Sequence, residues 1–218
     1  MKLYYSKGAC SLAIRIAIHE LGLSCEFESV DLKAKKTEKG DDFFEINTKG
    51  SVPALKVNTD TLLTEGAVIL QYLADTHVEP RLLPKVGELE RYRVLEWLNF
   101  TATDLHKGCT PFFNPKMPED IKENIFKPNL KKSLTTLEKH FAHNTYLAKA
   151  FSIADCYTFV VLSWMSHIGI NLSDFSSVEQ YFQRLSERKA FQHALKEEGL
   201  LDSEAHHTDG AAACGISK

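Results

Sequence analysis

The run Lys2-Leu3-Tyr4-Tyr5-Ser6-Lys7-Gly8-Ala9-Cys10-Ser11-Leu12-Ala13 passes from a short apolar strand through a glycine turn into an amphipathic helix, with a thiol at the join. That junction is where a cysteine becomes reactive. The unpaired N–H groups of a first helical turn and the positive end of the helix dipole favour thiolate over thiol, moving such cysteines into a pKa range of roughly 3.5 to 7.5. Dithiol oxidoreductases carry Cys-x-x-Cys at this kind of turn. Here the run is Cys10-Ser11-Leu12-Ala13, so a second thiol has to come from outside the motif.

Outward from this stretch, strand and helix signals alternate. Ile14, Ala17, Ile18 and Leu21 recur at helical spacing and stop at Gly22, and Phe27 to Leu32 reads as a second strand. The charged stretch Lys33 to Asp42 is expected to be a solvated loop, followed by a short helical piece from about Asp42 to Ile46. Ala54-Leu55-Lys56-Val57 and Thr61-Leu62-Leu63 flank Asn58-Thr59-Asp60, which predicts an antiparallel hairpin, and a helix from Glu65 to about Thr76 follows. The order βαβ, linker, ββα suits a small mixed sheet with helices on its faces.

Beyond Arg81-Leu82-Leu83-Pro84 the strand signals vanish. Val94, Leu95, Leu98, Ala102 and Leu105 mark a long amphipathic helix from Glu88 to about Gly108. Further helices are expected over about Pro118 to His143, Ile153 to Ile170, Val178 to Ser186 and Ala190 to Glu198. Ser152-Ile153-Ala154-Asp155 reads as a helix N-terminal cap, a folding signal rather than a catalytic one. The fold class is therefore α/β plus all-α. Residues 1–80 form the sheet domain and 87–201 the helical one, and 202–218, with no core pattern, form a mobile tail.

Bulk composition narrows the function. At 218 residues and 44% hydrophobic, the chain can bury one large core or two modest ones. A formal net charge of -3, with no Lys or Arg cluster interleaved with aromatics, gives nucleic acid no footprint. The first residues are strand-like rather than a signal peptide, and no apolar run approaches the roughly 20 residues of a membrane span. The expectation is a cytoplasmic protein bound to no membrane. Cysteines 10, 25, 109, 156 and 214 follow neither a metal-ligand spacing nor a disulfide framework, so they read as reduced thiols, mostly buried. His206, His207 and Cys214 are too sparse a donor set for a metal, and none is assigned.

Four features besides Cys10 can carry chemistry, and each has a plain structural alternative. In Gly50-Ser51-Val52-Pro53-Ala54-Leu55, a cis bond before Pro53 would turn the Val52 peptide outward to pair with an extended ligand; on the Val-Pro pair alone a plain strand-start turn is the default, cis bonds being about 5% of X-Pro bonds. Asn99, Thr103 and His106, spaced i, i+4, i+7, share one helix face, which is the solvated side unless a cleft lies opposite. Glu65 and Gly66 at a helix start either match the dipole or hold a zwitterionic ligand, Glu65 on its ammonium and the Gly66 N–H on its carboxylate. Lys35 is a solvated loop charge, or a carboxylate clamp if the loop folds over a cleft.

Gly8-Ala9-Cys10-Ser11, Asn47-x-x-Gly50-x-Val52-Pro53-Ala54-Leu55, Leu62-Leu63-Thr64-Glu65-Gly66, Trp97-Leu98-Asn99 with Leu105-His106-Lys107, and Phe151-Ser152-Ile153-Ala154-Asp155, in this order and spacing, resemble the bacterial beta-class glutathione S-transferases. The resemblance runs from Met1 to about Leu200. It implies a thioredoxin-like N-terminal domain, an all-helical C-terminal domain, and a homodimer with the co-substrate glutathione in the cleft between domains. It gives Cys10 the place facing the glutathione sulfur and His106 that of the histidine reaching across from the helical domain. By the same likeness Val52 binds the tripeptide backbone, Glu65 and Gly66 hold the γ-glutamyl end, Lys35 holds a carboxylate near the other end, and Asn99 and Thr103 match the remaining polar positions. Two departures stand out: Gly66 replaces a serine common in the family, so only its backbone N–H is left to bind, and Ala148 replaces a turn glycine.

The activity so implied is detoxifying conjugation of glutathione to hydrophobic electrophilic small molecules, together with glutathione-dependent thiol-disulfide exchange through Cys10. Two other readings remain beside it: a mainly redox thiol transferase of the same family, and a noncatalytic carrier of apolar ligands on the same fold.

Overall fold

The computed structural model describes residues 1–77 and 81–201; the expected mobile tail, 202–218, with His206, His207 and Cys214, lies outside the described residues. Five strands, β1 (Lys2–Tyr5), β2 (Glu26–Asp31), β3 (Lys36–Thr37), β4 (Ala54–Lys56) and β5 (Leu62–Thr64), make one sheet in the order β3-β2-β1-β4-β5. Only β1 and β2 pair in parallel. A parallel pair needs a crossover, and α1 (Ser11–Glu20) supplies it. The β4–β5 hairpin forms where its turn residues predict, with Val57 N–H donating to Thr61 O at 2.9 Å and Asp60 N–H to Asn58 Oδ1 at 3.0 Å.

The side-chain alternation of β1 splits the sheet between two apolar clusters. Leu3, level with Leu55, belongs to the large core; Tyr4, level with Ala54, packs with Val30 and with Phe43 of the short helix α2 (Phe43–Ile46). α3 (Gly66–Thr76) packs beside α1. The stretch Lys33 to Asp42, expected to be wholly a solvated loop, contains β3: Thr37 is buried and pairs with Val30, while the charged neighbours face water. Two residues are too short a strand to leave a periodic signal.

Among the described residues from 81 onward there is no strand. α4 (Leu89–Phe100) continues through a π-helical segment, Thr101–His106, into α5 (Lys107–Cys109) and a 3-10 turn, Thr110–Phe113. α6 (Glu119–Ile121) leads through a second π segment, Lys122–Phe126, to α7 (Lys127–Phe141). α8 (Ile153–Ser163), α9 (Ser176–Ser186) and α10 (Lys189–Glu197) complete the fold. α8 stops seven residues short of the expected Ile170, because the chain tightens into a 3-10 turn, Ser166–Ile168, and reverses at Gly169, whose φ of 70° is left-handed.

α1, expected to be amphipathic, is buried all round. It lies against α3, α8 and α10 as well as β1, and Leu12, Ile14, Ile16 and Ile18 are at most 1% exposed. Each such side chain stabilises the fold by about 1.5–3 kcal/mol relative to exposure. One apolar core thus continues from Leu3 through α1 to Phe159 and Trp164, fixing the helical domain against the loop that carries Cys10. The cap at Ser152 forms as its sequence predicts: Ser152 N–H and Oγ donate to Asp155 Oδ2 at 2.8 and 3.0 Å, and Asp155 Oδ1 accepts Leu147 N–H and the Tyr181 hydroxyl. Ala148 takes its turn without strain, since Lys35 and Glu65 are the non-glycine residues with positive φ among those described.

Candidate active site

A cleft of about 630 Å3 opens between the two domains, and its lining includes Cys10, Lys35, Val52, Glu65, Gly66 and His106. The sheet domain contributes the first five and the π segment the last. Cys10 is the N-terminal cap residue of α1, and its Sγ lies 3.5 Å from the Val52 carbonyl oxygen. The first-turn donors expected to be unpaired are partly engaged: Leu12 N–H and Ala13 N–H donate back to Ala9 O and Cys10 O at 3.0 and 3.2 Å. The dipole of the ten-residue helix still points at the thiol. Burial pushes the thiols of Cys25 and Cys156 up, Cys156 strongly, away from the thiolate form. Cys109 and Cys156 are buried, while Cys10 and Cys25 are partly exposed.

The loop before Cys10 is clamped from the far end of the chain. Gly8, at φ 68°, donates its N–H to Glu198 Oε2 at 2.8 Å, while its carbonyl accepts Trp164 Nε1–H at 2.9 Å. Arg15 Nε donates to Glu198 Oε1 at 3.1 Å, inside the core. Burial pushes the Glu198 carboxyl up to about 7, against the pull of the Gly8 N–H and the Arg15 guanidinium.

Val52–Pro53 is a cis peptide, the less common alternative for the Val-Pro pair, at the start of β4. The preceding loop is shaped by Asn47, whose Nδ2 donates to Ser51 O at 2.7 Å and whose carbonyl accepts Gly50 N–H at 2.8 Å. Lys35 folds over this loop, its Nζ 2.8 Å from Gly50 O, so it is a cleft-lining cation. Glu65 caps α3 with a backbone at φ 69°, ψ 115°, a conformation that costs on the order of 1–3 kcal/mol and is typical of residues held for function. Its carboxylate is 64% exposed and pairs with Lys49 Nζ at 2.5 Å. An ion pair that open contributes about 0–1 kcal/mol, so a ligand ammonium can share or displace it.

His106 is largely buried, and its Nδ1 lies 2.5 Å from the Tyr157 hydroxyl, with Trp164 edge-on at 5.0 Å. Burial, assisted by the Lys107 ammonium, lowers His106 to about 4, so the imidazole is neutral at physiological pH. Burial, with the charges of Cys10 and Glu65, holds the Tyr157 phenol protonated far above neutrality. The hydroxyl and the neutral imidazole share one hydrogen bond, with Tyr157 donating to Nδ1 in the Nε2–H tautomer and accepting from it in the Nδ1–H tautomer.

Asn99 and Thr103 stand apart from this group. Both are exposed and outside the cleft lining, and Thr103 Oγ1 donates to Asn99 O and Asp104 Oδ2. Residues spaced i, i+4, i+7 share a face at 3.6 residues per turn, but the wider π segment begins at Thr101 and turns His106 away from the other two. Glu198 and Lys49 are neighbours of the site that local pattern did not reveal, and among the aromatic side chains Tyr157 lines the cleft.

Comparison with known proteins matches this architecture. Residues 8–76 fit the glutathione S-transferase N-terminal domain and residues 100–189 its C-terminal domain. The chain is 44% identical over 201 residues to glutathione S-transferase GstA of Escherichia coli O157:H7, covering 92% of this chain and 100% of that one. Two solved structures superpose with a TM-score of 0.88 at 39% identity, each covering 92% of this chain and 100% of its own. One is a sphingomonad glutathione S-transferase complexed with glutathione and the other a bacterial beta-class enzyme of Sphingomonas chungbukensis. With both domains and their order in agreement, the chain belongs to the glutathione S-transferase family, as an enzyme of the bacterial beta-class kind.

Proposed function

We propose that the cleft binds glutathione with its sulfur at Cys10 and uses it to conjugate hydrophobic electrophiles. The observation that carries this reading is the convergence, in one 630 Å3 cleft, of a helix-end thiol, the Val52 peptide, an acid and N–H pair at Glu65 and Gly66, the Lys35 ammonium and a neutral histidine from the opposite domain. These groups complement an extended zwitterionic tripeptide from end to end. Val52 pairs with the cysteinyl backbone; Glu65 takes the γ-glutamyl ammonium and the Gly66 N–H its carboxylate; Lys35 takes the carboxylate at the far end. Asn99 and Thr103 lie outside this lining, and only the family resemblance assigns them to glutathione.

Conjugation needs a positioned thiolate rather than a strong base. The glutathione thiolate attacks the electrophilic carbon, the C–S bond forms, and a leaving group such as halide departs with its electron pair. Because His106 is neutral, the developing charges meet hydrogen-bond donors and the α1 dipole rather than an imidazolium. In the exchange branch, the Cys10 thiolate attacks a glutathionylated disulfide, forming a Cys10–glutathione disulfide and releasing the other thiolate. A second glutathione thiolate then restores Cys10 and leaves as oxidised glutathione, since Ala13 occupies the place of a resolving cysteine. The enzyme acts as a homodimer in the reducing cytoplasm, and exposed apolar side chains such as Phe44, Val68, Leu89 and Tyr92 are available for subunit contact.

The test is a steady-state assay with glutathione and a halogenated nitrobenzene, run beside a disulfide-exchange assay. Turnover in the first supports conjugation; turnover confined to the second makes the enzyme a thiol transferase, and binding without turnover in either makes it a carrier. Incubation with oxidised glutathione should add one reducible glutathionyl group at Cys10. Labelling confined to Cys25, Cys109, Cys156 or Cys214 overturns the role of Cys10.

A further inference from the structure

On the side of the molecule where α10 packs against α1, three potential ligand atoms converge. His193 and Glu197 are one helical turn apart on α10, and His19 lies in the last turn of α1. His19 Nε2 is 2.8 Å from Glu197 Oε2 and His193 Nε2 is 3.1 Å from Glu197 Oε1, with all three ligand atoms within 4.8 Å of one another. The rings approach to 4.4 Å between centroids, and both histidines line an open depression of about 600 Å3.

We propose that His19, His193 and Glu197 form a binding site for a late first-row divalent cation, zinc above all. Zinc held by imidazole nitrogens and a carboxylate oxygen at about 2.0–2.2 Å places its ligand atoms roughly 3.3 Å apart. The two nitrogen–oxygen separations, 2.8 and 3.1 Å, lie a few tenths of an ångström inside that value and the three ligand atoms all fall within 4.8 Å of one another, so side-chain adjustment alone completes the site. Two imidazoles and a carboxylate without thiolate suit zinc, nickel or copper better than magnesium or calcium, which prefer all-oxygen shells. Arg15 does not block the site: its Nη1 engages Glu197 Oε2 at 2.8 Å, leaving Oε1, on the His193 side, for the metal. The same arginine orients the carboxylate, as outer-shell partners of metal ligands do. Each imidazole coordinates through Nε2 and keeps its proton on Nδ1, so binding needs no redox change. The site ties the C-terminal end of α1 to α10, and none of its three ligands lines the cleft.

The experiment is calorimetric titration of the chelator-treated full chain with zinc chloride. One equivalent should bind, and His193→Ala, at a side chain 61% exposed, should weaken it at least about tenfold without changing the metal-free thermal midpoint. A chain carrying His206→Ala, His207→Ala and Cys214→Ser should bind as the wild type does. Cobalt substitution should give d–d absorption without a thiolate charge-transfer band. Absence of binding, wild-type affinity in His193→Ala, loss of binding in the triple variant, or a thiolate band each overturns the site.

Discussion

Two buried groups near the cleft make opposite contributions to stability as pH changes, and single substitutions separate them. His106 sits at about 4 in the folded protein against roughly 6.5 in the unfolded chain, so between those values the unfolded state binds the extra proton and stability falls as pH falls. Glu198 sits at about 7 against roughly 4.3 unfolded, so there the folded state holds the extra proton and stability rises as pH falls through that window. Integrated from pH 7 to pH 5, the first costs about 2 kcal/mol and the second returns about 2 kcal/mol, leaving the wild type almost unchanged by this pair. His106→Asn, which keeps a polar group beside the Tyr157 hydroxyl, removes the loss and should gain about 2 kcal/mol on acidification relative to wild type. Glu198→Gln, which keeps an acceptor for Gly8, removes the gain and should lose a similar amount. Urea unfolding at both pH values and a fixed protein concentration reads the difference. If both variants follow the wild-type pH dependence, neither group is buried and shifted as described, and the neutral-imidazole reading of the cleft falls with them.

Other expectations follow from single contacts. A Cβ at Gly66 would meet Pro53 Cγ at 3.7 Å and Tyr157 Cζ at 4.0 Å, ordinary contacts, so Gly66→Ser should fold normally and lower the KM for glutathione about fivefold, one hydrogen bond's worth, with kcat little changed in steady-state assays. Tyr157→Phe removes the hydrogen-bond partner of His106 Nδ1 and should lower kcat/KM roughly tenfold, read in the same assay. Asp155→Ala strands Leu147 N–H, Ser152 N–H and the Tyr181 hydroxyl in the core, and chemical denaturation should show a loss of about 3–5 kcal/mol.

What could be read from the sequence was local. The strand, glycine turn and helix around Cys10 follow from period and turn chemistry within some twenty residues, as do the Asn58-Thr59-Asp60 hairpin and the Ser152–Asp155 cap. Cys10 could be singled out by its place at a helix start, whereas Lys35, Val52, Glu65, Gly66 and His106 each had a plain structural alternative and stood out only through the family resemblance; all six line the cleft. What escaped was either too short or too distant. β3 has two residues, and the π segment at Thr101–His106 changes the helical period itself, which is why Asn99 and Thr103 part company with His106. Glu198 reaches Gly8 across 190 residues and Tyr157 reaches His106 across 51, contacts that exist only once α8 and α10 have packed on α1. The buried face of α1 records that packing in Arg15, whose charge inside an apolar helix makes sense only beside Glu197 and Glu198.

The cleft reading is tested most directly by a crystal structure of the full chain with bound glutathione. The sulfur should lie within van der Waals contact of Cys10 Sγ, the cysteinyl backbone should pair with Val52, and the γ-glutamyl end should sit on Glu65 and the N-terminus of α3. Glutathione bound elsewhere, or bound in the cleft with its sulfur directed away from Cys10, would contradict it.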